Sequence, residues 1–281
     1  MKKAVQQIML GAVTGKPDRA LETLRRIRAA GYDSLELNRF MIHPTPPIVR
    51  LLTRAAGMPA GNGGRLNWHE LIAESGLSVV SLHADLGSLE RESEAVAEEA
   101  RSFGTDKVVV TGMYRFDYGD EAEVRRLAAR LNREGEALRK AGLSLLYHNH
   151  NAELLPVKPG VRAYDILLAD ADPAYVDFEF DSYWFAYGGA DAAVWMKRLG
   201  GRMKLWHITD RGSRQSGPAA TPILKADSVE LGSGSMELDA LREVALQNGI
   251  EAVVLESHKN WIGKDPLQSI ELSAKWLNER F

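Results

Sequence analysis

The segment Ser144–Glu153 has the sequence SLLYHNHNAE, in which a short aliphatic run is followed at once by a His-Asn-His triplet. The run Ser144–Tyr147 has the length and composition of a buried strand, and the polar residues after it mark its carboxyl end. An amphipathic pattern over Glu121–Ala141 precedes it, and Gly142 stands where helices often end in the left-handed conformation. The segment therefore predicts a helix followed by a strand of a parallel sheet, with reactive side chains at the strand's end.

The same alternation of short apolar runs and amphipathic helices extends over the whole chain. The predicted strands are Ile8–Val13, Ser34–Leu37, Ser78–Leu82, Lys107–Thr111, Ser144–Tyr147, Tyr175–Phe180, Met203–Ile208 and Ala252–Leu255. The predicted helices include Asp18–Ala30, Glu90–Phe103, Glu121–Ala141, Met236–Gln247 and Asp265–Glu279. Eight such units without a dividing linker predict one (β/α)8 TIM barrel domain over residues 1–281, because a barrel of this kind needs about 250 residues.

Composition excludes several other classes of protein. The net charge is −3, with both signs mixed along the helices, which argues against a nucleic-acid-binding surface. The chain has no cysteine, so disulfides and thiolate metal sites are excluded. No apolar run approaches the ~20 residues of a membrane span, and the first residues lack the features of a secretory signal. We therefore expect a cytoplasmic protein.

Polar residues with metal-binding or acid–base chemistry follow most of the predicted strands. They are Glu36, Asn38, His83, Asp85, His148, His150, Glu153, Glu179, Asp181, His207, Asp210, Glu256 and His258. Five of the seven histidines are in this set. The carboxyl ends of barrel strands form one rim, and carboxylate with imidazole suits Mg, Mn, Co or Zn. The pattern predicts a divalent cation site on this rim, although any one strand-end histidine taken alone is more often a hydrogen-bonded core residue than a ligand.

Two segments are longer than a barrel connection requires. Phe40–Trp68 contains Pro44, Pro46, Pro47 and the Gly57–Gly64 stretch, and Arg211–Ser228 is rich in glycine, serine and proline. Loops that follow strands lie on the active face of a barrel, so each segment is a candidate lid or specificity loop. The alternative for each is an exposed variable loop.

Five short segments resemble the xylose-isomerase-like superfamily. Within it they are similar to the sugar phosphate isomerase/epimerase branch, which also contains inosose dehydratases and enzymes that act on 3-keto-glycosides. The segments that carry the resemblance are Gly31–Glu36, Leu146–Glu153, Phe178–Trp184, Trp206–Asp210 and Val254–Ser257. They span nearly the whole chain and occur at the strand ends in the family's order.

The resemblance implies one divalent metal ion, Mn, Mg, Co or Zn, held by residues from the fifth to the eighth strand. In the family these ligands are Glu, Asp, His and Glu. They correspond here to Glu153, Asp181, His207 and Glu256. The first position stays open, since some relatives place the ligand on the fifth strand itself, where this chain has His148, and His150 is a further alternative.

The predicted catalytic residues are Glu256 as the leading acid/base, Glu153 as the second, and His150 as a proton shuttle or hydroxyl ligand. The predicted substrate-binding residues are His83, His148, Glu36, Trp184 and Lys259. Trp206 and Trp261 also lie near strand ends, where an aromatic face suits the C–H surface of a sugar. Packing is the alternative for the histidines, a salt bridge for Glu36 and a solvated loop for Lys259.

These features predict an isomerase or epimerase that acts on a ketose or a related carbohydrate through an enediolate. The alternative is a lyase or dehydratase acting on a keto-inositol or a 3-keto-glycoside, which would use the same intermediate. A remote alternative is an apurinic-site endonuclease, against which the net charge argues. A non-enzymatic binding role is a further alternative. Related proteins often form dimers or tetramers, so the resemblance also implies a homo-oligomer.

Overall fold

Eight parallel strands form a closed barrel in the computed structural model, which describes residues 1–44, 63–215, 217–218 and 221–281. Each strand neighbours the strands before and after it in the chain, and the last neighbours the first. The barrel strands are β1 Lys2–Gln6, β2 Ser34–Asn38, β3 Ser78–His83, β4 Lys107–Thr111, β5 Ser144–His148, β6 Val176–Asp181, β7 Met203–Ile208 and β8 Ala252–Leu255. The predicted single TIM barrel is confirmed.

Helices separate the strands, as the alternating pattern predicts. Those in the described residues are α1 Pro17–Ala30, α2 Arg39–Ile42, α3 Trp68–Ser75, α4 Leu86–Ser102, α5 Glu121–Lys140, α6 Ala163–Asp170, α7 Ser182–Tyr187, α8 Ala192–Leu199, α9 Leu238–Asn248 and α10 Pro266–Arg280. In the same residues no helix is long and apolar enough to cross a membrane.

Two compact groups of residues can be distinguished along the chain. The larger comprises Val79–His207 and Leu241–Ala252. Within it β4 pairs with β3 and β5, and β6 pairs with β5 and β7, all in parallel. The three valines of β4 are fully buried, because both faces of a parallel strand are covered.

The other group comprises Met1–Ser78, Ile208–Ala240 and Val253–Phe281. In it β1 pairs in parallel with β2. The strands Asp210–Ser213 and Ala226–Val229 form an antiparallel pair. The first and last residues of the long predicted loop Arg211–Ser228 therefore belong to two paired strands. Most of the other predicted loop, Phe40–Trp68, lies outside the described residues.

Helix α5 shows how the sequence positions a helix on the sheet. Asp120 caps its first turn by accepting hydrogen bonds from two backbone N–H groups. Its buried face includes Val124, Leu131 and Leu138, at helical spacing. At Gly135 a Cβ would collide with the carbonyl oxygen of Tyr175, so only glycine allows this close approach.

The prediction of Ile8–Val13 as the first strand is wrong. The strand is Lys2–Gln6, and the apolar run after it forms a buried 3-10 turn, Gln7–Leu10. Gln6 ends the strand by accepting a hydrogen bond from the backbone N–H of Ile8 at 2.7 Å. Apolar density alone therefore located the wrong segment, because a buried turn and a buried strand have similar composition.

Candidate metal centre

The register of the sheet aligns the carboxyl ends of three neighbouring strands. His148 at the end of β5 lies opposite Glu179 of β6, and Asp181 at the end of β6 lies opposite His207 of β7. All four side chains are buried. Side chains two residues apart on a strand share a face, so Glu179 and Asp181 lie on the same side of β6. The predicted convergence of strand-end donors is therefore present across β5, β6 and β7.

One group of candidate ligands consists of His148, Asp181 and His207. Each offers a ligand atom, and these atoms lie within 4.8 Å of one another. The Nδ1 atom of His207 and the Oδ2 atom of Asp181 are 4.0 Å apart, which is too long for a hydrogen bond. Imidazole nitrogen and carboxylate oxygen at such a separation suit a shared borderline cation such as Zn, Mn or Co.

Asp181 is held rigidly by neighbours that sequence reasoning missed. The side chain of Asn149 donates to the backbone oxygen of Asp181 and accepts from its backbone N–H, both at 3.0 Å. The Oδ1 atom of Asp181 accepts from the N–H of Trp184 at 2.9 Å and so caps α7. These bonds fix the Asp181 backbone and one oxygen of its carboxylate, leaving Oδ2 on the side of His207.

Glu179 is the centre of a second cluster, the Glu179–histidine cluster, formed with His83, His148 and His207. Its Oε2 atom lies 3.0 Å from Nε2 of His83, 3.1 Å from Nδ1 of His148 and 3.2 Å from Nε2 of His207. The carboxylate is fully buried. Burial alone would raise its pKa, but the charges and hydrogen bonds of the histidines hold that pKa well below the usual value. Sequence reasoning noted Glu179 at the rim but gave it no role.

Glu153 lies in neither candidate ligand group of the described residues. Its Oε1 atom accepts from the Tyr147 hydroxyl at 2.7 Å, and its Oε2 atom accepts from the backbone N–H of His150 at 3.0 Å. Tyr147 precedes His148 on β5, and successive side chains of a strand point to opposite faces. Glu153 is therefore bound beside Tyr147, whose side chain points to the face of β5 opposite that of His148, and His148 is the β5 residue that belongs to a candidate ligand group.

A chain of hydrogen bonds leads through two tyrosine hydroxyls to Glu153. The N–H of Met113 donates to the hydroxyl of Tyr118 at 2.9 Å, and the hydroxyls of Tyr118 and Tyr147 are 3.0 Å apart. Burial raises the pKa of Glu153 to about 7 and also raises the pKa of both tyrosines. The network links the ends of β4 and β5 and keeps a carboxyl group that titrates near neutral pH beside His150.

The predicted aromatic contacts have different outcomes. Trp184 is half-buried, and its ring centroid lies 5.7 Å from that of His150, which is itself half-buried. Trp206 is fully buried, and its Nε1 donates to Ser182 at 2.9 Å, so the prediction that it meets substrate is wrong. The alternation along β7 explains this, because His207 and Trp206 point to opposite faces. Trp261 is half-buried and donates to the backbone oxygen of Ser257.

The remaining predicted residues belong to the other group of residues. Glu36 is fully buried near the end of β2, and Glu256 follows β8 and is 9% exposed. The Oε1 atom of Glu256 lies 3.8 Å from Nε2 of His258. Lys259 is 71% exposed and pairs with Asp227 at 3.0 Å, so its ammonium lies in solvent as part of a surface salt bridge.

Asp210, another strand-end residue, has a structural role. Its two carboxylate oxygens accept hydrogen bonds from four backbone N–H groups, those of Arg211, Gly232, Gly234 and Met236, at 2.8 to 3.1 Å. A carboxylate that accepts this many backbone hydrogen bonds organises the loop before α9. Its position after β7 gave no sign of this difference from Asp181.

The chain belongs to the xylose isomerase-like TIM barrel family, whose pattern matches residues 24–280. Among solved structures it is similar to a sugar phosphate isomerase/epimerase from Parabacteroides distasonis, with a TM-score of 0.77, 22% identity and coverage of 99% of this chain and 98% of the other. That likeness concerns the fold.

Curated relatives include two inosose dehydratases. One, from Clostridium perfringens, is 24% identical over 169 residues, which are 57% of this chain and 56% of the relative. The other, from Mesomycoplasma hyopneumoniae, is 30% identical over 93 residues, which are 33% of this chain and 30% of the relative. The chain therefore spans only 56% and 30% of the lengths of these relatives.

Two further structures with this fold contain a metal. One is the IOLI protein with a bound zinc atom, with a TM-score of 0.68, 15% identity and coverage of 100% and 99% of the two chains. The other is a xylose isomerase-like TIM barrel protein from Mycobacterium smegmatis in complex with magnesium, with a TM-score of 0.67, 16% identity and coverage of 99% and 95%. The neighbours of this chain thus include a sugar phosphate isomerase/epimerase and inosose dehydratases, and two of the structures with this fold contain a metal.

Proposed function

We propose that the protein is a divalent-metal-dependent enzyme that isomerises or epimerises a ketose or a related carbohydrate through an enediolate. The observation that carries the proposal is the approach of His148, Asp181 and His207 at the ends of three adjacent barrel strands. Active sites of TIM barrels lie at this end of the strands. Imidazole nitrogens and a carboxylate oxygen that approach one another in this way can share a divalent cation.

The proposed ligands are His148, Asp181, His207 and Glu256. Support for Glu256 comes from the barrel order, in which β8 neighbours β7, and from its position directly after β8, where the family resemblance puts the last ligand. Two nitrogen and two oxygen donors suit Mn, Co or Zn better than Ca, which prefers an all-oxygen shell. When bound, such a cation polarises a substrate carbonyl and stabilises negative charge on its oxygen.

The chain's own residues would move the proton and orient the sugar. We assign proton transfer next to the carbonyl to Glu256, because a carboxylate at a strand end can reach a substrate that lies above the barrel. His150 is half-exposed beside Trp184, so its imidazole can contact a sugar hydroxyl while the indole covers the C–H face. Glu153 holds the His150 backbone, which makes it a positioning residue in this account.

Incubation with a panel of ketoses in deuterated water tests the proposal. The expected result is deuterium on the carbon next to the carbonyl of recovered sugar, together with loss of this label in Glu256→Gln. Glu243→Gln, which changes an exposed carboxylate of α9, serves as the matched control and should retain exchange. Exchange that survives in Glu256→Gln would contradict its assigned role, and the lack of both metal and exchange in the native protein would contradict the proposal.

The second candidate is dehydration of a keto-inositol or elimination from a 3-keto-glycoside. It is favoured by the similarity to inosose dehydratases. Both reactions remove a proton next to a carbonyl and differ in whether a leaving group departs from the neighbouring carbon. Release of water or an aglycone with an unsaturated product would support this candidate, whereas labelled sugar without an unsaturated product supports isomerisation.

A further inference from the structure

Gly112 directly follows β4, at the point where the pairing of β4 with β5 ends. The last pair of that register is Thr111 with His148, so Gly112 lies beside the residues that follow β5. We propose that Gly112 is a positioning residue, whose lack of a side chain leaves the space that the imidazole of His150 occupies beside Glu153. The part that His150 plays in the reaction rests on the proposed function. The packing around Gly112 does not depend on it.

Three polar side chains crowd the place where a side chain at residue 112 would begin. A Cβ atom there would lie 3.1 Å from Nδ1 of His150, 3.1 Å from Oε1 of Glu153 and 3.2 Å from the hydroxyl oxygen of Tyr118. Unstrained contacts of a carbon atom are about 3.5–4.0 Å long. A methyl group at residue 112 would therefore displace at least one of these three neighbours.

The backbone conformation of Gly112 is not the reason for a glycine here. The described glycines with a positive φ include Gly104 and Gly142, which lie in the turns before β4 and β5, but they do not include Gly112. The φ angle at Gly112 therefore does not exclude an alanine, as the left-handed conformation would. The need for glycine comes from the side chains around it.

Two of the three neighbours are buried and held by hydrogen bonds. The oxygens of Glu153 accept from the Tyr147 hydroxyl at 2.7 Å and from the backbone N–H of His150 at 3.0 Å. The hydroxyl of Tyr118 accepts from the backbone N–H of Met113 at 2.9 Å. The imidazole of His150 is only half-buried. Because it is the least enclosed of the three, it is the neighbour that a new side chain would move.

A displaced His150 ring would change its contacts with two residues of the proposed site. Its ring centroid lies 5.1 Å from that of His148 and 5.7 Å from that of Trp184. In the proposed function His148 is a metal ligand and Trp184 contacts the sugar. A shift of a few tenths of an ångström matters at such a place, because groups that orient a substrate act within a narrow range of positions.

NMR of the histidine rings tests the inference without substrate. The full chain is labelled with 13C at histidine and freed of metal with a chelator, and the variant His150→Gln assigns the His150 ring signals. Gly112→Ala should shift these signals by more than their linewidth. Gly201→Ala is the matched control and should leave them in place, because the φ of Gly201 is also not positive and a Cβ there would meet no atom of the described residues within 4 Å. Unshifted His150 signals in Gly112→Ala would overturn the inference.

Urea denaturation of the metal-free chain distinguishes a clash with His150 from a clash with its buried neighbours. Gly112→Ala should lower the urea midpoint. The same substitution should lower it much less in a His150→Ala background, where the ring is absent. If Gly112→Ala alone does not fold, recovery of folding in the double variant supports the inference in the same way. Equal losses in both backgrounds, or a double variant that also fails to fold, would place the clash at Glu153 or Tyr118 and overturn it.

The two proposals fail in distinguishable ways. With a ketose that undergoes exchange, Gly112→Ala should lower kcat/KM about 10-fold, and Gly201→Ala should leave it unchanged. Shifted His150 signals with a native kcat/KM would contradict the substrate contact assigned to His150 and leave the positioning of its ring by Gly112 intact. A lower kcat/KM with the His150 signals in place would contradict the positioning role alone. If the native protein shows no exchange, the proposed function fails, and the NMR and urea experiments still decide the role of Gly112.

Discussion

Replacing Glu153 by glutamine should remove a pH-dependent loss of stability. Glu153 is fully buried, and burial raises its pKa to about 7 from the ordinary value of 4.5. In the unfolded chain the carboxyl group ionises near the ordinary value, whereas in the folded protein it stays protonated up to about pH 7. Glutamine has nearly the same shape and stays neutral at every pH, and its oxygen can still accept from Tyr147.

The sign and size of the effect follow from linkage. Part of the free energy of unfolding depends on Glu153 being protonated. This part is fully present below about pH 4.5 and is lost as the pH rises through about 7. Each pH unit of this interval costs about 1.4 kcal/mol, so the full loss is about 3 kcal/mol. The free energy of unfolding of Glu153→Gln should therefore rise relative to that of the native chain by about this amount between mildly acidic and mildly basic pH.

Urea denaturation of metal-free protein at about pH 5, 6, 7 and 8 measures this difference. Glu98→Gln, which changes an exposed carboxylate of α4, is the control and should follow the native chain at every pH. If the native and Glu153→Gln stabilities run parallel over the whole range, Glu153 has an ordinary pKa and the reasoning from its burial fails.

Three further predictions concern the surroundings of the site. Asn149→Ala removes both hydrogen bonds to the Asp181 backbone and should weaken Mn²⁺ binding about 10- to 100-fold in a chelator competition. The control is Asn132→Ala, which removes a similar pair of hydrogen bonds to the backbone of residues 170 and 172. It should lower the free energy of unfolding and leave the affinity for Mn²⁺ unchanged. Tyr147→Phe leaves the Glu153 oxygen without its hydroxyl donor and should lower the free energy of unfolding by about 1–3 kcal/mol in urea titrations. Lys259→Met should change the free energy of unfolding by less than about 1 kcal/mol and leave kcat/KM nearly unaltered, because Lys259 belongs to an exposed ion pair. A large fall in kcat/KM would instead support the predicted role of Lys259 in substrate binding.

The fold was predictable because its signals are local. β4 and β7 have the predicted bounds, since each is a short apolar run between turns. The position of the first strand was not predictable, because Lys2–Gln6 has few apolar residues and owes its strand conformation to pairing with β2. The run Gln7–Leu10 that follows is the more apolar of the two and has the composition of a buried strand, but it forms a buried turn.

The site was predictable only as a set of strand-end donors. The positions of Asp181 and His207 follow from the ends of their strands, and these two side chains approach each other as expected. The environment of Glu153 and the role of Asn149 depend on side chains that meet across strands, which one sequence does not reveal. Asp210 shows the same limit, because a carboxylate used to organise a loop and one used as a ligand look alike along the chain.

In the proposed function, side chains from adjacent barrel strands hold one divalent cation. The most direct measurement is anomalous diffraction from crystals of the protein grown with Mn²⁺ or Co²⁺. We expect one peak about 2.0–2.3 Å from a ring nitrogen of His148, a ring nitrogen of His207, a carboxylate oxygen of Asp181 and a carboxylate oxygen of Glu256. A peak held by other residues, or crystals in which these four side chains bind no ion at saturating metal, would contradict it.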